Sequence, residues 1–253
     1  MKTFITYFDF LGYKQFILNN DFSYVESRVL NILRDIEASL GQGKYKEAQY
    51  GVIADLSESK LNCLNISDTI ILWTKDDSFE SFQELLNVTF DFNWRVTCYH
   101  FPVRGAMVYD EIGLFSYKAN SKKNGTYNVN SIFGKGLVNA HLKAENLNMA
   151  GCVIDKTVLD KIIDYGDLND ILGNYALPYK VPYKENLPDF EEYTLTFYLN
   201  KPIKEKGLNA LAIESRKSGI ECAFKNDNKG FNSRAKELFD NTIAFLEKMK
   251  DNE

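Results

Sequence analysis

Two aspartates, Asp9 and Asp68, stand where an acid contributes little to folding but is well placed for chemistry. Asp9 ends an alternating, β-rich run at residues 4–8, and Asp68 lies at the bend between apolar runs at 61–66 and 69–73. In a βαββαβ sheet the first and third strands are adjacent and antiparallel, so the end of the first lies beside the start of the third. The two carboxylates are therefore predicted to converge.

Converging carboxylates point to a particular reaction class. They repel each other, which raises one pKa unless cations bridge them. Two divalent cations ~3.5–4 Å apart form a clamp for in-line attack at phosphorus. The pair therefore predicts phosphoryl or nucleotidyl transfer, with Asp9 and Asp68 as catalytic, metal-binding residues. Taken singly, each acid has an open alternative role, Asp9 as a helix N-cap and Asp68 as a turn residue.

The residues after Asp9 fit a phosphate substrate. We predict that Phe10, Leu11, Gly12, Tyr13 and Lys14 open a helix whose free backbone N–H groups cradle phosphates. Gly12 permits a close approach of the backbone, and Lys14 adds a positive charge. This segment is therefore a predicted substrate-binding element.

The elements that position these residues alternate between strand and helix patterns. The spacing predicts strands at 4–8, 61–66, 69–73, 102–109 and 131–133, and helices at 22–40, from Ser78 to about Phe90, and at 137–147. This order predicts an α+β fold, a ferredoxin-like βαββαβ antiparallel sheet with helices on one face and extra strands. Residues 152–155, 193–199 and 209–213 are predicted to extend the sheet, 233–249 to form a closing helix, and 167–190 to be irregular. A single domain, 1–253, is expected, with its core at about 3–160 and a C-terminal extension of strands and helix at 161–253.

Composition excludes several classes of protein. The chain has 253 residues, 45% of them hydrophobic and 26% charged, and a formal net charge of -5. No nucleic-acid partner is expected, because duplex binding requires clustered Lys and Arg. The longest apolar runs are strand-length, far short of the ~20 residues that cross a bilayer, and no secretory segment opens the sequence. We expect a cytoplasmic protein without a membrane partner. The dispersed Cys and His residues suggest neither a zinc site nor disulfides.

Several short stretches, in order along the chain, carry a family resemblance. Residues 8–14, 67–71, 103–106, 133–141 and 153–155 resemble the class III nucleotide cyclase catalytic domain, and more closely the bacterial pyrimidine cyclases of the Pycsar anti-phage system. The resemblance spans about residues 3–160. It implies a homodimer with active sites at the interface, which converts a nucleoside triphosphate to a 3′,5′-cyclic monophosphate and pyrophosphate. It also implies Mn²⁺ or Mg²⁺, two per active site, and a role in anti-phage defence.

Carried over residue by residue, the resemblance assigns the metal site and informs base choice. Asp9 and Asp68 become the metal ligands, with the backbone carbonyl of Phe10 as a third contributor. The two positions that read the purine edge in purine cyclases hold Leu64 and, in the ungapped alignment, Ser131. Because neither the adenine nor the guanine pair is present, a pyrimidine substrate, UTP or CTP, is favoured. Tyr50 is a further candidate, limiting base size by bulk if it lies near the pocket.

The basic residue that stabilises the transition state has more than one candidate. Asn139 and Lys143 have the spacing of the Asn and Arg of purine cyclases, but the ungapped register places Val138 and Leu142 there. Lys143 on a solvated helix face is the default expectation. Arg104 is the better candidate, because a long cation on an apolar strand needs a partner, and a structural ion pair is its alternative.

We therefore predict a pyrimidine nucleotide cyclase making cyclic UMP or cyclic CMP. One alternative is a catalytically silent nucleotide-binding or sensing module on the same fold, since fold does not fix function. A second is an adenylate or guanylate cyclase with an unusual base pocket. Retention of both Asp9 and Asp68 favours an enzyme over a silent module.

Overall fold

A mixed sheet with helices on both of its faces forms the body of the protein. The computed structural model describes residues 2–123, 125–185, 190–198 and 210–249, and of 210–212 only the backbone. Its strands are β1 (Lys2–Phe10), β2 (Tyr45–Ala48), β3 (Gly51–Ala54), β4 (Asn62–Ile66), β5 (Thr69–Trp73), β6 (Val103–Glu111), β7 (Gly113–Asn120), β8 (Thr126–Phe133), β9 (Gly151–Ile154), β10 (Ala176–Tyr179) and β11 (Glu192–Leu195).

The helices alternate with these strands along the chain. They are α1 (Tyr13–Asn19), α2 (Phe22–Gly41), α3 (Phe79–Tyr99), α4 (Lys135–Asn146), α5 (Lys156–Ile162), α6 (Leu168–Leu172), α7 (Ala210–Lys225) and α8 (Ser233–Lys248), with a 3₁₀ turn at Ile163–Tyr165. No helix in the described ranges is long and apolar enough to cross a membrane.

The main sheet has seven strands in the order β10-β11-β9-β6-β1-β5-β4. The central strand β1 pairs antiparallel with β5 and β6, as the predicted plan requires, and β6 pairs parallel with β9. The α+β fold class is therefore confirmed, although the sheet is mixed rather than wholly antiparallel.

The prediction that helices cover one face of the sheet is wrong. On one face, Phe4 and Phe8 pack in a core with residues of α2, α3 and α5. On the other face, Ile5 and Tyr7 pack in a second core with residues of α4, α7 and α8. The reason is visible in β1, whose apolar residues occupy both alternating positions, because successive strand residues point to opposite faces.

The central predictions for the first half of the chain are confirmed. The runs at 61–66 and 69–73 form the antiparallel hairpin β4–β5, with Asp68 in its turn. The predicted helices correspond to α2, α3 and α4, and the Ser78 side chain caps α3 by accepting a hydrogen bond from the Ser81 N–H. The strand predicted at 131–133 lies within β8, but β8 pairs with β7 in a separate two-stranded ribbon.

The C-terminal region departs further from the prediction. Residues 210–213 begin helix α7 instead of a strand, and residue 209 lies outside the described residues. The strand predicted at 193–199 is the shorter β11, and residue 199 is likewise not described. The stretch 167–190 contains α6 and β10, so it is not wholly irregular. The closing helix α8 is confirmed.

Candidate active site

Asp9 and Asp68 meet at one end of the β1–β5 pair. Asp9 lies opposite Thr69 in the strand register, and the Phe10 N–H donates to the backbone carbonyl of Asp68 at 3.0 Å. The charge of Asp68 is close enough to act on the carboxyl of Asp9. The structure therefore brings together the two acids that the sequence predicts to converge.

Arg104 is the direct partner of Asp9. It lies opposite Asp9 in the β1–β6 register; its Nε donates a hydrogen bond to Asp9 Oδ2 at 2.8 Å, and its Nη2 forms an ion pair with the same oxygen at 2.7 Å. Its Nη1 donates to the carbonyl oxygen of Glu145, at 2.9 Å. The ion pair that the sequence leaves open for Arg104 is thus present. Asp9 Oδ1 receives no hydrogen bond from the part of the chain that the structure describes.

Opposing effects act on the pKa of the Asp9 carboxyl. Burial raises the pKa of its carboxyl, the charge and hydrogen bonds of Arg104 lower it, and the charge of Asp68 raises it again. The net result is a pKa above the usual range for Asp. Burial is the dominant cause of this shift, because it disfavours the charged form of the carboxyl, and the charge of Asp68 adds to it.

Sequence reasoning missed a set of polar side chains near the two acids, formed by Tyr7, Thr69, His141 and Glu145. The Tyr7 hydroxyl lies 3.0 Å from His141 Nδ1 and 3.3 Å from Thr69 Oγ1, and His141 Nε2 lies 3.5 Å from Glu145 Oε2. Burial is the main cause of a raised pKa at Tyr7. The sequence places His141 in the resemblance but gives it no role, and Tyr7 looked like an ordinary strand aromatic.

The loop after Asp9 differs from the predicted phosphate cradle. The N–H of Phe10 is used by Asp68, as described above, and the N–H of Leu11 donates to the Pro102 carbonyl at 2.9 Å. Those two amides are therefore not free for a ligand. The first helical bond of α1 runs from the Phe16 N–H to the Gly12 carbonyl, so the free amides belong to the next residues along.

Gly12 is required by the shape of this loop. Its φ is +80°, in the region that favours glycine, and a Cβ there would lie 3.0 Å from Lys229 Cβ. Tyr13 stacks on Phe10, and burial and the charge of Asp68 raise the pKa of its hydroxyl. Lys14 is exposed on α1. The predicted segment thus borders the two acids, with a tighter backbone than expected.

A cavity of about 170 Å³ adjoins this loop. Its lining includes Leu11, Gly12 and Pro102, together with residues of the C-terminal region such as Arg234 in the first turn of α8. Lys184, which precedes the undescribed residues 186–189, feels the charges of Arg104, Arg234, Glu145 and Asp9. Sequence reasoning did not single out Lys184 or Arg234, since neither belongs to a motif.

Four predicted substrate-binding residues have no described contact with Asp9 or Asp68: Tyr50, Ser131, Asn139 and Lys143. Tyr50 is 92% exposed in the turn between β2 and β3. Ser131 is exposed on β8, opposite Phe115. The Asn139 side chain is exposed and donates to Asp110 Oδ2 at 3.2 Å. Their roles at the substrate stay predictions.

Lys143 is the fourth of these residues, and the solvated position expected for it is wrong. Its Nζ forms ion pairs with Asp155, at 2.7 Å, and with Glu192, whose other carboxylate oxygen accepts from the Tyr183 hydroxyl. Burial opposes ionisation of Asp155, but Lys143 and Thr157 lower its pKa overall. Lys143 thus joins α4 to the end of β9 and to β11.

The donor set suits a hard divalent cation. No group of three or more His, Cys, Asp or Glu side chains that fits a metal ion occurs among the described residues. Mg²⁺ ordinarily keeps several waters and uses one or two carboxylates together with substrate phosphates. Asp9 Oδ1 and the Asp68 carboxylate meet that requirement, because no described side chain forms a hydrogen bond or an ion pair with them.

Comparison with known proteins gives matches among solved structures alone. No protein-family model matches the chain, and no curated protein matches its sequence. The fold is similar to the catalytic core of a rhodopsin-guanylyl cyclase with converted specificity in complex with ATPαS, with a TM-score of 0.49, 8% sequence identity and coverage of 77% of this chain and 95% of that one. It is also similar to the guanylate cyclase domain of RhGC from Catenaria anguillulae in complex with GTP, with a TM-score of 0.48, 8% identity and coverage of 77% and 96%.

Proposed function

We propose that this chain is a metal-dependent nucleotide cyclase that converts UTP or CTP to the 3′,5′-cyclic monophosphate and pyrophosphate. The observation that carries the proposal is the convergence of Asp9 and Asp68 at one end of the β1–β5 pair. One or two carboxylates placed together in this way suit a hard divalent cation that also binds substrate phosphates. The ordered motifs of the sequence resemblance support the same assignment.

In the proposed reaction the ribose 3′-oxygen attacks the α-phosphorus, the hydroxyl proton is lost, and pyrophosphate leaves. Asp9 and Asp68 hold Mn²⁺ or Mg²⁺, two per active site, with the Phe10 carbonyl as a further ligand. The cations supply the charge that acidifies the 3′-hydroxyl and steadies the leaving group. Arg104 fixes the Asp9 carboxylate through Oδ2, so Oδ1 is the oxygen that would bind a cation.

Pyrimidine specificity is supported by Leu64 and Ser131, the residues at the two positions that read the purine edge in purine cyclases. Leu64 lies on β4, partly buried against the second core, and has no group that reads a base edge. Ser131 lies on the exposed ribbon. A site without hydrogen-bonding partners for a purine edge loses the main means of strong purine selection. The anti-phage role rests on the resemblance alone.

A homodimer is supported by exposed apolar side chains on the β7–β8 ribbon and the neighbouring face of α4. Phe115 is 59% exposed and Leu142 is 57% exposed. Exposed apolar side chains in this number favour an interaction site. The group as a whole comprises Leu114, Phe115, Tyr117, Tyr127, Phe133, Val138 and Leu142.

The test is to incubate the purified protein with Mn²⁺ and each of ATP, GTP, CTP and UTP, and to identify products by mass. A cyclic pyrimidine monophosphate supports the proposal and names the base. A cyclic purine product instead supports the purine cyclase. If a folded dimer binds nucleotide yet yields no product from any of the four, the silent binding module replaces the enzyme.

A further inference from the structure

Two cations from the C-terminal region, Lys184 and Arg234, lie close enough for their charges to interact, and the charge of Asp9 also acts on Lys184. The charges acting on Lys184 come from Arg104 and Arg234, which are cationic, and from Glu145 and Asp9, which are anionic. The predicted catalytic core ends near residue 160, so these cations reach the site from outside the segments that carry the family resemblance.

Lys184 is anchored next to the attachment point of Arg104. The Lys184 N–H donates to the Asn146 carbonyl at 2.8 Å, and Arg104 Nη1 donates to the preceding carbonyl, that of Glu145, at 2.9 Å. Both carbonyls lie at the C-terminal end of α4. The backbone at Lys184 is therefore fixed beside the Asp9–Arg104 pair.

Arg234 lines the cavity beside the Gly12 loop. It lies in the first turn of α8, and it shares the 170 Å³ cavity with Leu11 and Gly12, which follow Asp9 closely in sequence. Lys229 lines the same cavity, but its ammonium is already paired with Asp227 and with backbone carbonyls. Arg234 is thus the lining cation that has no ion pair with the described residues.

Neither Lys184 nor Arg234 has an ion-pair partner of its own. Arg104 is paired with Asp9, whereas Lys184 and Arg234 form no ion pair with any described side chain. Burial and the like charges of Arg104 and Arg234 lower the pKa of Lys184, while Glu145 and Asp9 act in the opposite sense. Lys184 and Arg234 repel each other, and a polyanionic ligand bound between them removes that repulsion.

We infer that Lys184 and Arg234 bind the phosphate chain of the nucleotide, from the same subunit that supplies Asp9. This inference rests on the proposed function, because a nucleoside triphosphate is the polyanion expected beside Asp9 and Asp68. It gives the C-terminal region a place in the active site rather than a purely structural role.

The test measures phosphate binding and turnover separately. Lys184→Ala, Arg234→Ala and the double variant are titrated with inorganic tripolyphosphate and Mg²⁺ by calorimetry, and the KM for the preferred nucleotide is measured with Mn²⁺. We expect each single change to raise the tripolyphosphate Kd and the KM about 5- to 10-fold, and the double change more, because charge-assisted hydrogen bonds are lost.

Matched controls remove a positive charge nearby. Lys180→Ala alters an exposed lysine four residues before Lys184, and Lys236→Ala alters an α8 lysine that pairs with Asp240. Both should bind tripolyphosphate like the unchanged protein. Equal weakening by the controls, or unchanged binding by the double variant, overturns the inference.

The outcomes separate this inference from the proposed function. If the protein makes cyclic nucleotide and the double variant keeps the same KM, the inference fails and the cyclase stands. If the protein makes no cyclic product but loses tripolyphosphate binding in the double variant, the inference stands and the cyclase fails.

Discussion

Arg104 faces Asp9 across the β1–β6 pair, and two of its nitrogens contact the same carboxylate oxygen, Oδ2: Nε donates a hydrogen bond at 2.8 Å, and Nη2 forms an ion pair at 2.7 Å. The two oxygens of Asp9 therefore differ in their contacts. Arg104 holds Oδ2, whereas Oδ1 receives no hydrogen bond from the described residues. An arginine fixes a carboxylate in this way more firmly than a lysine does, because its guanidinium is planar and carries several donors.

Replacing Asp68 with Asn should remove activity at little structural cost. The Asp68 side chain makes no hydrogen bond or ion pair with the described residues, so Asp68→Asn removes a charge near Asp9 and breaks no contact. We expect loss of cyclic product with a change in unfolding free energy within about 0.5 kcal/mol. Product mass and urea unfolding measure the two effects. Full activity in Asp68→Asn would show that the two-metal assignment is wrong.

Arg104→Lys should weaken both the fold and metal binding. The ion pair is largely enclosed, with exposed side-chain fractions of 16% for Arg104 and 18% for Asp9. We expect a loss of about 1–3 kcal/mol in unfolding free energy, because a lysine cannot reproduce the shared contacts. Asp9→Ala should also destabilise the protein slightly, since it leaves Arg104 without its carboxylate, so relief of repulsion with Asp68 is not the dominant effect.

Arg104→Lys should also change the pH dependence of Mn²⁺ binding. The pKa of Asp9 is already above the usual range for Asp, and Arg104 holds it down. A metal requires the ionised carboxylate, so affinity falls as the pH drops through this pKa. In Arg104→Lys the fall should begin at a higher pH. Mn²⁺ titrations of both proteins from pH 5 to 8 measure this shift. If the affinity falls over the same pH range in both proteins, Arg104 does not control the pKa of Asp9.

Asp35→Asn should stabilise the protein at neutral pH. Burial raises the pKa of Asp35 from its ordinary 3.8 to about 6, while its Oδ2 lies 3.1 Å from His100 Nε2. Because the folded state binds the proton more tightly, the stability from this group is present below about pH 4 and is lost as the pH rises through 6. We expect a gain of about 1–2 kcal/mol at pH 7. Urea unfolding at pH 5 and 7 should show a smaller gain at the lower pH.

Arg216→Gln should destabilise the contact between α3 and α7. The guanidinium carbon lies 4.3 Å from the centre of the Trp94 ring and 4.6 Å from that of Tyr198. We expect a loss of about 1–2 kcal/mol, because a partly buried cation contributes on that scale to an aromatic cage. The neighbouring Lys217→Gln, which removes an exposed pair with Glu247, is the control. Similar losses in the two variants would argue against the cage.

Phe115→Glu on the exposed ribbon should give a monomer. A charge at a mostly exposed position leaves the fold unchanged but opposes burial of the apolar surface against a second copy. Light scattering measures the oligomeric state, and activity should fall with it if the active sites lie at the interface. An active monomer would contradict the proposed placement. Asn128→Glu, which adds the same single charge at an exposed polar position of the same ribbon, is the charge-matched control.

The convergence of Asp9 and Asp68 was predictable because it depends on strand order, which short periodic runs reveal. The presence of a core on each face of the sheet was also predictable from β1, because its apolar residues occupy both alternating positions. Lys184 and Arg234 were not predictable in the same way, because long chain paths with no motif bring them to the site. The ion pairs of Lys143 likewise depend on Glu192, about fifty residues away.

The order of strands also has a consequence for synthesis of the chain. The central strand β1 is made first, but β5 and β6, its two neighbours, end at Trp73 and Glu111. Until those residues have left the ribosome, both edges of an apolar strand remain unpaired, and pairing over such long separations is slow. The nascent chain is thus exposed to aggregation until about Glu111 has been translated, and its need for chaperones should be greatest in that interval.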